Sequence, residues 1–204
     1  MRAQIEIFDY IGEGELMMKK DNIYRFCVET TIPGILKAVE DADVSAVLDI
    51  VIKRANRDVM VGAHFLKGGY SANQDYYQEE LKRLILQPNA DLSSSILINK
   101  VYKNMNKHKV NVGAIQKLIN MTLKYLYVIQ EHGLMNEYAL KVELKNCDCP
   151  LDSRILEELR KREKKKYTPW TKLDSLDEYK TIQDDISKYV EESNLEFDFD
   201  NWKK

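Results

Sequence analysis

The chain has 204 residues, 44% of them hydrophobic, and 31 Lys+Arg against 33 Asp+Glu give a formal charge of −2. That is enough apolar material for a sizeable core. It offers no global attraction to nucleic acid or anionic membrane, and no run approaches the roughly 18 apolar residues of a spanning helix. Three cysteines, two of them in Cys147-x-Cys149, argue against a disulfide framework and for a reducing, cytoplasmic setting. The opening MRAQIEIFDY does not read as a signal peptide.

With 8 Gly and 4 Pro, helices are expected to dominate. Residues 1–20 read as a short strand or an ordered arm. Asp21 is a candidate N-cap for a helix carrying Ile23, Phe26 and Cys27, which the Thr30–Gly34 stretch breaks because Pro33 disfavours helix before it. Short helix follows over 35–40. Another starts at Asp43 with Val44, Val47, Leu48, Val51 and Ile52 as its stripe, running towards Gly68-Gly69. Ser71 caps the next, with Tyr76, Tyr77, Leu81, Leu84 and Ile85 inward, and Pro88-Asn89 ends it. Asp91 opens a helix carrying Leu92, Ile96, Leu97, Val101 and Met105.

The strongest pattern runs from Asn111 to Glu131. Val112, Ile115, Leu118, Ile119, Thr122, Leu126 and Ile129 repeat at the helical period. Gln116, Lys117, Asn120 and Lys124 share the other side, so this helix either has a solvated face or presents a working site. His132-Gly133 closes it. Residues 134–150 read as a brief strand or extended connector, and Pro150 suits the first turn of a helix over 151–163. Ser175 or Asp174 caps a last helix with Leu176, Tyr179, Ile182, Ile186, Tyr189 and Val190. The expectation is one mainly α domain, residues 1–192, of about seven helices around helix 112–131. Little or no β is expected, and an acidic/aromatic tail, 193–204, is weakly held.

Four constellations carry possible chemistry. The first pairs Lys117 with Asp152. A lysine near a helix start, partly desolvated, becomes a neutral amine that attacks electrophilic carbon, and a carboxylate assists by proton transfer or by stabilising a cation. Val112-Gly113, Lys117 and Pro150-Leu151-Asp152 resemble the motifs of the helix-hairpin-helix DNA glycosylases, most of all the archaeal oxoguanine-excising branch. The likeness covers about residues 110–156, and a single glycine stands where that family has a Gly-x-Gly hairpin. It implies that Lys117 forms a Schiff base with the sugar, that Asp152 assists, and that DNA is the partner, without metal or cofactor.

The second constellation, Arg57 with His64, resembles the Arg-x(4–6)-His pair of HEPN ribonucleases and implies an alternative ribonuclease site. In the third, Cys147-x-Cys149 has no second ligand pair for zinc, so no metal is expected. The fourth is the basic run Arg160, Lys161, Arg162, Lys164, Lys165 and Lys166 leading to Trp170. With Asn120 and Lys124, these are the residues expected to meet phosphates and bases if nucleic acid binds. The competing reading is a non-catalytic helical module with a protein partner, for example a bacterial or phage accessory factor. Under it Lys117 is a solvated lysine and Asp152 only complements a helix dipole.

Overall fold

A computed structural model describes residues 13–62, 70–104, 111–131, 133–134 and 140–202. Residues 1–12 of the expected strand or arm, the Gly68-Gly69 stop, Met105 and His132 lie outside the described residues, whereas 13–20 are helix rather than strand or arm, so Asp21 lies within the first helix and does not cap it. The rest is helical: α1 (Glu13–Thr31), α2 (Ile35–Glu40), α3 (Val44–Met60), α4 (Tyr70–Ile85), α5 (Ser94–Asn104), α6 (Val112–Glu131), α7 (Ser153–Glu163), α8 (Leu176–Ser187) and α9 (Asn194–Asp200). Among the described residues there is no strand. The expected strand within 134–150 is, over 140–152, non-repetitive chain with one 3-10 turn at Leu144–Asn146. Two compact units divide the chain, one ending at Ile50 and one spanning Val51–Lys204.

In the first unit α1 ends where Thr30 and Thr31 donate their hydroxyls to the carbonyls of Phe26 and Cys27, just ahead of Pro33. Glu29 then takes over the exposed start of α2, accepting from the N–H groups of Gly34 and Leu36 at 2.5 and 3.2 Å. Gly34 sits at φ 85°, where a side chain would be strained. Val28, Ile32, Ile35, Ala38, Val47 and Leu48 are buried, whereas Ile23 and Phe26 stand 64% and 71% exposed.

The second unit is built on α6, which packs against α5, α4, α8 and the 3-10 turn Trp170–Lys172. Its expected stripe is inside: Val112, Ile115, Leu118, Ile119, Leu126 and Ile129 are all buried. Tyr77 of α4 is buried and stacks on Tyr70 with centroids 4.9 Å apart, while its neighbour Tyr76 is exposed rather than inward. α5 starts at Ser94, later than Asp91 suggests, because Asp91 accepts from the Ser93 N–H and holds a turn there instead. Ser175 caps α8 as expected, accepting from the Glu178 N–H.

The largest departure is at the C-terminus. Residues 194–200 are not a loose tail but the helix α9, which buries Leu195, Phe197 and Asp198. Ser193 caps it, and the Ser193 hydroxyl also donates to the Cys147 carbonyl at 2.8 Å.

The chain just after α7 is tied to α8 through Asp185. Burial disfavours its charge, but Lys165, Lys188 and Tyr167 all donate to it and hold the carboxyl at about 2. A depressed carboxylate stabilises the fold above its unfolded pKa, roughly 3.9, and that contribution is lost as pH falls through the folded value. Asp185→Asn is therefore expected to lower stability at pH 7 and to flatten its loss between about pH 4 and 2. Urea melts across that window check it.

Candidate active site

Lys117 sits in the second turn of α6, and the sequence holds it there by unusual means. Asn111 caps the helix, its side-chain oxygen accepting from the Ala114 N–H at 3.1 Å. The Asn111 amide also donates to the Thr171 carbonyl at 3.0 Å, and the Gly113 N–H donates to the Leu173 carbonyl at 2.9 Å. The Trp170–Lys172 turn is thereby laid on the N-terminus of α6. Gly113 makes this possible. A Cβ there would fall onto the Trp170 carbonyl oxygen and within 2.8 Å of Asn111 Oδ1. The glycine read from sequence as part of a hairpin is thus needed for backbone approach. The indole of Trp170 in turn lies on Gly62 and presents its face to Lys117, whose Nζ is 4.5 Å from the ring centroid.

Asp152 is held by a separate set of contacts. The segment Cys147–Asp152 is extended, without ladder partners, and buried side chains supply its hydrogen bonds instead. The Asp148 N–H donates to Ser94 Oγ at 2.9 Å. Gln183 of α8 takes both backbone groups of Cys149, at 3.1 and 2.8 Å. Gln116 of α6 takes both backbone groups of Leu151, each at 3.0 Å. Asn120, one turn on, donates to the Cys149 carbonyl and to the Tyr179 hydroxyl, which donates to Asp148. Asp152 then caps α7, with Oδ1 accepting from the Ile155 N–H at 2.9 Å. So α7 begins one residue after Asp152, not at Leu151.

The result is a lysine with unusual electrostatics. Burial lowers the Lys117 pKa by stripping water from the ammonium, and the carboxylates of Asp152, Asp58 and Asp198 pull it back. Asp152 acts most strongly of the three, and Arg154 pushes the other way. Among the described residues none hydrogen-bonds or ion-pairs with Nζ. Removal from water raises the neutral fraction of the amine, which leaves its lone pair available.

Around this pair lie groups that the sequence did not single out. Asp58 accepts from Arg54 and from the Tyr125 hydroxyl, both at 2.6 Å. Asp198 of α9 forms an ion pair with Lys124 and another with Arg154 at 3.1 Å. Trp202 is 60% exposed, and the cations of Lys124 and Arg154 lie 4.4 and 4.8 Å from its centroid. Arg154 also donates to the Trp202 carbonyl at 3.3 Å.

Several expected nucleic-acid contacts have other duties. Lys124 has only 8% of its side chain exposed and is paired with Asp198, and Asn120 is buried in the amide network. Neither reaches a phosphate. Burying that face is possible because most of its polar groups have fixed partners, Asn120 Oδ1 being left without one among the described residues. Trp170 is buried under Lys117 rather than offered to a base. In the basic run, Arg160 is held by Glu157, Arg162 by Glu158, and Lys165 by Asp185, while Lys161 lies 4.0 Å from both Glu157 and Glu158. Within the run only Lys164 and Lys166 have no carboxylate partner among the described residues. Arg57 is exposed, and His64 lies outside the described residues. Cys147 and Cys149 are buried thiols, and no group of metal-ligating side chains occurs among the described residues. No helix there is long and apolar enough to cross a membrane.

No family model, curated protein or solved structure matches the chain.

Proposed function

We propose that this chain is a DNA-base-excising glycosylase with lyase chemistry, in which Lys117 is the nucleophile and Asp152 its carboxylate partner. The observation that carries this is the setting of Lys117, half-buried against the Trp170 ring and, among the described residues, in no ion pair. A desolvated lysine with a lowered pKa has Asp152 as its strongest electrostatic partner, although 35 residues of chain separate them. The half-buried ammonium is costly to desolvate, and the Trp170 ring offsets part of that cost.

In this reading the Lys117 nitrogen attacks C1′ of a deoxynucleotide, and the C1′–N bond to the base breaks. The base leaves with the electron pair and takes up a proton. Asp152 accepts the proton released from the Lys117 nitrogen and returns it to O4′ as the C1′–O4′ bond opens, which gives a protonated imine and a free 4′-hydroxyl. A nucleotide must leave the duplex to reach such a site, which costs a few kcal/mol, and stacking on an exposed ring recovers part of it. Trp202 offers such a ring, fixed from beneath by two cations. Lys164 and Lys166 are the cations of the basic run left to meet phosphates.

A second reading has one observation in its favour. Exposed Ile23 and Phe26 lie on one side of α1 at helical spacing, which suits a protein partner for the first unit.

Borohydride trapping on duplexes carrying oxidised purine, uracil or an abasic site tests the enzyme reading. Hydride addition to the imine carbon leaves a stable amine linkage. Wild-type protein is expected to form a covalent adduct on at least one duplex, with Lys117→Gln forming none and Asp152→Asn slowed about 10²–10⁴-fold. Equal trapping by Lys117→Gln and wild type would remove the assignment.

A further inference from the structure

The bonds around Leu151 point to a residue that acts on the chemistry without touching it. We infer that Gln116 is the positioning residue of the Lys117–Asp152 pair, its amide fixing the register of the Asp152 segment against α6. This inference rests on the function proposed above.

Gln116 precedes the lysine on α6, and Leu151 precedes the carboxylate. Gln116 Oε1 accepts from the Leu151 N–H and its Nε2 donates to the Leu151 carbonyl, so one planar amide pairs with Leu151 as a neighbouring strand would. Gln116 is fully buried, and its Nε2 also donates to the Gly113 carbonyl at 2.9 Å, which fixes the amide plane. Asn120 donates to Gln116 Oε1 at 3.3 Å, so oxygen and nitrogen cannot exchange places without opposing like partners. Pro150 has no N–H to offer, so pairing falls to Cys149, held from both α8 and α6, and to Leu151, held from α6. Gln183 of α8 and Asn120 of α6 hold Cys149, and among the described residues the Gln116 amide is what hydrogen-bonds Leu151, the residue next to Asp152, to the helix that carries Lys117.

A slip there would move Asp152 relative to Lys117 while leaving α6 and α7 intact. Misplacement by about 1 Å costs on the order of 10²-fold in rate. It would also remove a carboxylate from Lys117, leaving Asp58, Asp198 and Arg154 as the charges acting on the amine. Gln116 therefore influences both the rate and the titration of Lys117.

The test uses the full chain with Gln116→Met, which keeps the bulk and loses both bonds. The Lys117 titration midpoint is followed by 13C NMR after reductive methylation, its signal assigned by absence in Lys117→Gln. Asp152→Asn is expected to lower the midpoint. Gln116→Met should lower it in the same direction, and the double variant should go no further than Asp152→Asn alone. An unchanged midpoint in Gln116→Met, with only a lower melting temperature, would make Gln116 purely structural and overturn the inference. Should Gln116→Met fail to fold, amide exchange in the wild type decides. Strong protection of the Leu151 N–H supports the clamp, and loop-like exchange overturns it. Absence of any DNA adduct together with a coupled midpoint would sink the glycosylase reading while leaving the positioning role standing.

Discussion

Gly113→Ala is expected to be the most damaging single-methyl change in the second unit. The added Cβ meets the carbonyl of Trp170, backbone that cannot rotate aside as a side chain would. Relieving it means lifting the Trp170–Lys172 turn from α6. That lengthens the bonds from Gly113 N–H to Leu173 and from Asn111 to Thr171, and it removes the indole from Lys117. Overpacking usually costs about 1–3 kcal/mol, and a backbone clash belongs at the upper end or beyond. For a chain of this size about 3 kcal/mol corresponds to a drop of roughly 6–12 °C in melting temperature. Calorimetry checks this. A melting temperature within a degree of wild type would mean that the turn does not press on the helix.

The second large effect is expected at Asp198. Its carboxylate, 3% exposed, answers both Lys124 and Arg154. Asp198→Ala leaves the Lys124 ammonium buried without a counter-charge. Breaking a buried pair by removing one partner typically costs about 3–5 kcal/mol, whereas replacing both partners by apolar groups is often close to neutral. Urea unfolding of Asp198→Ala should therefore show a loss of that order, and Asp198→Leu with Lys124→Met should recover most of it. If the single variant loses less than about 1 kcal/mol, the helix α9 is not anchored this way.

These two sites also mark what could be read from the sequence. The apolar stripe of α6 was legible because it is local, with each member three or four residues from the next. Its other face was harder. Gln116, Asn120 and Lys124 are the residue types of a solvated surface, and their burial depends on Leu151, Cys149 and Asp198, between 29 and 74 residues away. Periodicity within a helix carries no information about such partners. Lys117 and Asp152 were singled out from the chemistry of a lysine near a helix start and from a short resemblance, neither of which could show the partners that surround them. Gly113 was picked out as part of a hairpin motif, and the turn that its missing side chain admits could not be read beside it, because Trp170 is 57 residues further on.

The C-terminus did carry an overlooked signal. Ser193-x-x-Glu196 is the spacing of a capping box. Ser193 does cap α9, although Glu196 reaches the N–H groups of Glu191 and Glu192 instead of closing the box. The alternating acids and aromatics of 196–200 concealed this, since they suggest extended chain. In the helix they separate into buried Phe197 and Asp198 and exposed Phe199 and Asp200. The basic run misled in the opposite direction. Its cations face carboxylates of α7 and α8 at ion-pair distance, so a charge cluster conspicuous in one dimension is largely neutralised in three.

The central claim is that Lys117, and no other lysine, is the nucleophile. Peptide mapping of the borohydride-trapped protein by mass spectrometry tests it most directly. The sugar remnant is expected on the peptide containing Lys117, with Lys124, seven residues along and sealed by Asp198, unmodified. A remnant on Lys124 or on the Lys164–Lys166 stretch, with Lys117 untouched, would contradict it.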